Sequence, residues 1–339
     1  MVFMLILRRI LKWKFILPIF FIIAISVSLI VVFQPIKTSH RVSHSLTLVK
    51  LSSVHPAELY CEGLLVHDDI VIISELGVSF VNVSNPLDPI LVNRFFDGGG
   101  AHTTRLRDDL LFVADHHQGM EILNISDLNN IMKLTNVPVS EDTASIDITN
   151  DLAYISAYEG LYIYNISDPY SPQIVGTYYS TNPYGYLKIF NNYALISTPS
   201  GIEVLDISNP TNPVKVGKIG DWGQIRHFQI VGNILYGANM DRGVEIYDIS
   251  NLQRSKLLGR FHDGGKPAYI HVIDHIAFVA DYEDGLEIID FDNNKKMVEI
   301  GQFHEEGDYV RAVQVVDNLA YIFDASEHGL EIIQLWESS

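Results

Sequence analysis

Nine residues stand out as candidates to hold a divalent metal: Asp97, His102, Asp115, His117, His262, Asp263, Asp281, His304 and Asp324. Imidazole nitrogen and carboxylate oxygen suit Zn²⁺ or Mn²⁺, so a divalent cation is the one cofactor these residues allow. The competing reading is a set of solvated loop residues on an acidic protein. A second group is aromatic: Tyr158, Tyr178, Tyr179, Tyr184 and Trp222. Exposed aromatics with few charges nearby grip glycans or peptides, and internal packing is the competing account. A third set, Arg105, Asp147, Lys188 and His271, recurs at one position of a repeat, each followed by an aliphatic residue. Known catalytic signatures are missing. No G-x-S-x-G, H-E-x-x-H, P-loop or dinucleotide fingerprint occurs, and His304-Glu305-Glu306 has no second histidine four residues on.

The elements that position these residues come from a repeat. A glycine opens an alternating apolar run seven times, at Gly77, Gly119, Gly160, Gly201, Gly243, Gly285 and Gly329, with spacings of 42, 41, 41, 42, 42 and 44. Each unit reads as four short strands. An alternating stretch such as 269–274 is followed by an Asp/Asn turn and an apolar run such as 276–281. The Gly-led run and a last short run such as 173–179 complete the unit. Helical periodicity is absent from 46–339. Four strands in about 42 residues is the signature of a propeller blade, so the sequence predicts an all-β, seven-bladed β-propeller over 46–339.

The seventh copy ends at Trp336 without a fourth strand, and residues 46–53, LTLVKLSS, have the fourth-strand pattern. The N-terminal segment is therefore expected to complete the last blade and remove its open edge. In such blades the loops before the first and third strands share one face, here called the top. The metal candidates fall on it from blades 6, 7 and 2, and the aromatics from blades 3 to 5. The innermost strands place Leu64 (its register ambiguous by one), Arg105, Asp147, Lys188, Gln229, His271 and Gln314 in one column. Consecutive blades then set Asp147 between two cations, which predicts an ion pair.

The repeated G-[LIV]-x-[IV]-x-[DN]-[IV]-S segments, followed by Asp/Asn-Pro-x-x-Pro as in GIEVLDISNPTNP (201–213), resemble the LVIVP-repeat β-propellers. The resemblance covers about 46–336. It implies a seven-bladed propeller exported to, or anchored at, a prokaryotic cell surface, and it carries no defined molecular role. Copies at 119–131, 243–255 and 285–297 lack the proline pair. The [DN]-x-x-x-G segments at 115–119, 239–243 and 281–285 resemble the start of a calcium loop without its closing glutamate, and read as Asx turns. Asn82, Asn124 and Asn165 form glycosylation sequons at the Asp position of the repeat.

Residues 1–14 carry Arg8, Arg9, Lys12 and Lys14 and no acid, and 15–33 carry no charge. Nineteen helical residues span about 28 Å, close to the ~30 Å hydrocarbon core. No small-residue cleavage pattern follows. The expectation is a cytoplasmic N-terminus (1–14), a transmembrane signal anchor (15–33), a linker (34–45) and a propeller outside the cell. The net charge is −18; after residue 41 there remain 17 basic against 41 acidic residues, a net of −24. That excludes a nucleic-acid partner. The single cysteine, Cys61, excludes a disulfide framework. The functional expectation is a single-pass membrane protein whose propeller binds a surface protein or glycan without catalysis. The alternative is a metal-dependent propeller enzyme, hydrolase- or lactonase-like, with its site on the top-face loops.

Overall fold

The computed structural model describes residues 46–56, 61–139, 142–180, 182, 184–221, 223–292, 296–326 and 328–337. The segments read as cytoplasmic N-terminus (1–14), anchor (15–33) and linker (34–45) lie outside the described residues. Within them, 28 strands form seven four-stranded antiparallel sheets. Blades 1 to 6 follow the chain at 63–95, 101–137, 143–179, 187–219, 225–261 and 269–303. Blade 7 takes three strands from 310–337 and its outermost strand from Leu46–Val54. Leu48 lies opposite Leu335 and Val54 opposite Leu330, so the N-terminal strand closes the ring. The helical structure among the described residues is one 3₁₀ turn, Leu252–Arg254, and no helix there is long and apolar enough to cross a membrane.

Local chemistry explains the repeat. In all seven blades the turn between the first two strands has a residue at positive φ: Asp68, Asp108, Asn150, Asn191, Gly232, Asp274 and Asp317, at 49–60°. Asp, Asn and Gly are the residues that tolerate this hairpin geometry. The Gly that opens each third strand also has positive φ, and it lies against the end of the outermost strand. A Cβ on Gly160 would sit 1.9 Å from the Tyr178 carbonyl oxygen, and one on Gly243 2.0 Å from that of Phe261. At the end of the third strand, Asn82, Asn124, Asn165, Asp206 and Asp248 accept the backbone N–H two residues on, at 2.8–2.9 Å. The repeat position holding the three sequons is thus an Asx-type turn.

The core lies between blades. The second and third strands are buried on both faces, and each hydrophobic cluster draws on two neighbours. Ile72, Val78 and Phe80 of blade 1 pack on Leu111, Val113 and Leu123 of blade 2. Burying such side chains contributes roughly 1.5–3 kcal/mol each. This double-sided burial has one unusual result: polar side chains on the third strands are enclosed rather than solvated.

Candidate functional site

The innermost strands build a belt around the axis. Asp147, 3% exposed, sits with its carboxylate 2.9 Å from Arg105 Nε and 3.1 Å from Lys188 Nζ, and it accepts the Ile189 N–H at 2.8 Å. Burial works to raise its pKa, but the two cations and the amide hold it below the usual carboxylate range. Gln229 clamps the next blade through Val272 N–H and C=O (2.7 and 2.9 Å), and the Val315 N–H donates to His271 Nδ1 (2.8 Å). Burial pushes His271 down to about 4, so its Nδ1 is free to accept. The Val66 N–H donates to Gln314 Oε1. That last bond sets the register: the belt member of blade 1 is Leu65, because Leu65 lies opposite Ile72 as Arg105 lies opposite Phe112. Leu64 is instead 5% exposed and in the core.

Above the belt the channel opens into a cavity of about 170 Å³. Bulges near the start of three innermost strands, at 101–103, 225–227 and 310–312, each insert one residue, respectively His102, Arg226 and Arg311. All three line the cavity. Glu62 bridges the two guanidiniums, 3.2 Å from Arg226 Nη2 and 2.5 Å from Arg311 Nη2, and Arg226 Nη1 donates to the Tyr282 hydroxyl at 2.9 Å. A ring stack floors the cavity. Tyr269 stacks on His227 with centroids 3.5 Å apart, and the Tyr186 ring, tilted by 50°, has its centroid 4.2 Å from that of His227. Burial lowers the pKa of His227 well below its ordinary value, with Arg105, His271 and Lys188 acting in the same direction, and burial lowers that of His102. Both imidazoles are neutral at neutral pH. Among the described residues that line the cavity, the charged side chains are Glu62, Arg226 and Arg311, in a domain that is otherwise strongly acidic.

The acidic candidates gather within blades and not across them. Asp97 and Asp115 meet Glu121 in blade 2, where Lys133 Nζ lies 2.8 Å from Glu121 and also pairs with Asp97. Asp263 and Asp281 meet Glu287 in blade 6. Asp324 accepts from His328 Nδ1 at 2.8 Å, beside Asp308, Glu331 and Lys50, in blade 7, and His304 Nδ1 lies 3.8 Å from Asp308. His117 joins His116 and Asp142 at the rim. His262 is solvent-exposed.

The fold and repeat find counterparts among known proteins. A family model described as the LVIVD repeat matches residues 141–180, 186–221 and 264–305. The chain carries LVIVD repeats on a seven-bladed β-propeller. No curated protein matches the sequence. Among solved structures, the crystal structure of the computationally designed Ika8 protein is similar in fold, with a TM-score of 0.62 at 11% identity, over 85% of this chain and 99% of that one. The matched repeats are those of blades 3, 4 and 6.

The aromatic candidates of the propeller divide. Tyr158 and Tyr179 are 54% and 68% exposed. Tyr178 is half-buried against the core of blades 3 and 4. Tyr184 does not belong to a ligand surface: it is 5% exposed, and its hydroxyl donates to Glu203 at 2.8 Å. Trp222 lies outside the described residues. The D-x-x-x-G segment of blade 2 is an Asx turn, with Asp115 accepting from His117 and Gln118 N–H. In blade 6, Asp281 accepts instead from Lys266 N–H in the loop before its first strand. The sequence reading missed Glu62, Arg226 and Arg311, and the buried glutamates two residues after the repeat glycine. The signal for the latter was present, because G-x-E recurs at Glu121, Glu203, Glu245, Glu287 and Glu331.

Proposed function

We propose that the protein is a single-pass membrane protein whose propeller stands outside the cell and recognises a surface protein or glycan through the axial cavity, without catalysis. The observation that carries this reading is the pair of guanidiniums held by Glu62 at the mouth, walled by Tyr282 and floored by stacked rings. Guanidinium forks fit carboxylates. A cavity of about 170 Å³ is below the ~300–1,000 Å³ of drug-sized pockets. It suits one protruding acidic side chain or acidic sugar of a larger partner. Among the described residues, the His/Asp/Glu groups close enough to share a metal ion lie within blades or at the rim, and none of their members lines the cavity. That favours binding over the metal-dependent hydrolase alternative. The anchor rests on the charge-free run 15–33 behind four basic residues.

The test uses the full chain in detergent, titrated calorimetrically with acetate, benzoate and glucuronate. A carboxylate is expected to bind, and Arg226→Met is expected to weaken it about tenfold or more, as loss of a charge-assisted hydrogen bond does. Absence of carboxylate binding, or equal binding by the variant, refutes the site. Protease added to intact cells is expected to remove the propeller and spare 1–14; a protected propeller refutes the orientation.

A further inference from the structure

Blades 2 and 6 carry the same constellation with one difference. Asp97-Gly98-Gly99 and Asp263-Gly264-Gly265 occupy matching loops, with Gly98 and Gly264 both at positive φ. Each loop aspartate meets the aspartate closing the second strand (Asp115, Asp281) and the buried glutamate of the third (Glu121, Glu287). In blade 2 the outermost strand sends Lys133 into the cluster, and its ammonium bridges Glu121 and Asp97. The residue opposite Leu123 is Lys133; the residue opposite the matching Ile289 is Glu299. Blade 6 thus places a carboxylate where blade 2 places a cation.

The other buried glutamates follow blade 2. Glu203 pairs with Lys215 at 2.7 Å, Glu245 with Arg260 at 2.5 Å, and Glu331 with Lys50. Glu287 is 2% exposed, yet among the described residues it has no ammonium, guanidinium or N–H partner. The polar groups about its carboxylate are those of Asp263 and Asp281, with ligand oxygens of all three within 4.8 Å of one another. Leaving such a cluster without a positive charge is costly.

We propose that Asp263, Asp281 and Glu287 bind a calcium ion at the top edge of blade 6, in the position that the Lys133 ammonium fills in blade 2. The oxygen-only ligand set selects a hard cation over zinc. Exposed Asp263 provides the way in, and Glu299 adds long-range attraction. The site is separate from the axial cavity and does not depend on what binds there.

The full chain, stripped with chelator, is titrated with calcium chloride by calorimetry and by thermal unfolding. The expected result is saturable binding with a dissociation constant of about 10⁻⁴–10⁻³ M, as in extracellular modules, and a melting temperature that rises with calcium. Glu287→Gln is expected to lose both responses. Glu299→Lys, which restores the lysine of blade 2, is expected to melt higher than the wild type in chelator and to gain nothing from calcium. A wild type that shows no response overturns the proposal and leaves a proton as the charge that settles the cluster. A Glu287→Gln or Glu299→Lys variant that responds like the wild type also overturns it.

Discussion

Replacing Asp147 with Ala tests the belt that holds the blades in register. The carboxylate has three partners in three neighbouring positions: Arg105 Nε at 2.9 Å, Lys188 Nζ at 3.1 Å and Ile189 N–H at 2.8 Å. The Lys188 side chain is 42% exposed, so water compensates most of its loss and its share is small. Arg105 is 22% exposed and remains charged at any working pH, so its guanidinium loses its counter-ion and keeps only neutral acceptors, the Thr104 carbonyl at 2.9 Å and the Tyr186 hydroxyl. Breaking a buried pair in this way costs about 3–5 kcal/mol, within which the orphaned Ile189 amide accounts for about 1–3. For a domain of this size, about 2 °C per kcal/mol converts the loss to roughly 6–10 °C in melting temperature. The assay is calorimetry of wild type, Asp147→Ala, Arg105→Met and the double variant. The double variant is expected to be more stable than Asp147→Ala alone, because it removes the stranded charge. A shift under about 2 °C for Asp147→Ala, or a double variant less stable than both single ones, refutes the reasoning. Because the folded pKa of Asp147 is lowered, its contribution is complete above the unfolded value and fades as pH falls through the folded one.

Two further outcomes follow from the same structure. Deleting 46–54 strips blade 7 of its outermost strand and uncovers the apolar groups on which Leu46 and Leu48 pack; stability is expected to fall by several kcal/mol in urea unfolding, and an unchanged midpoint refutes ring closure as a stabilising device. In chelator, Glu287 (pushed to about 9) and Asp281 (pushed to about 7, chiefly by burial) bind protons more tightly folded than unfolded. Stability is then fully present below about pH 4 and lost as pH rises to 9, and Glu287→Gln should flatten most of that slope in a melting series from pH 5 to 9.

The fold was legible because its constraints act on single residues. A hairpin needing positive φ admits Asp, Asn or Gly, and a strand start packed on a carbonyl admits glycine, so Asp108 or Gly160 announces its place without any partner in view. The site was less legible because its geometry arises from exceptions to alternation. Bulges turn His102, Arg226 and Arg311 into the cavity, and strict alternation would have sent them elsewhere. Glu121 and Glu287 alternate with aliphatic residues and so read as a solvent face; burial of both faces between blades makes them interior groups. Leu64 and Leu65 are chemically identical, and the bond from Val66 to Gln314 distinguishes them. The channel pair was legible, since opposite charges at one repeat position of adjacent blades have nowhere else to go.

Ring closure by the first strand also has a consequence in time. Leu46 pairs with Glu337, 291 residues later, whereas every other blade is complete within about 42 residues of chain. At about 5–20 residues per second of synthesis, Leu46–Val54 waits roughly 15–60 s for its partner. During that interval six blades can form in succession while the strand that will lock them stays single. Its sequence suits the wait: Thr47, Lys50, Ser52 and Ser53 interrupt the aliphatic residues, and a mid-strand lysine discourages pairing with a stray edge. The last blade made is therefore the one that commits the whole circle, and a ribosome stalled short of Gly329 would release an open arc with two unsatisfied ends.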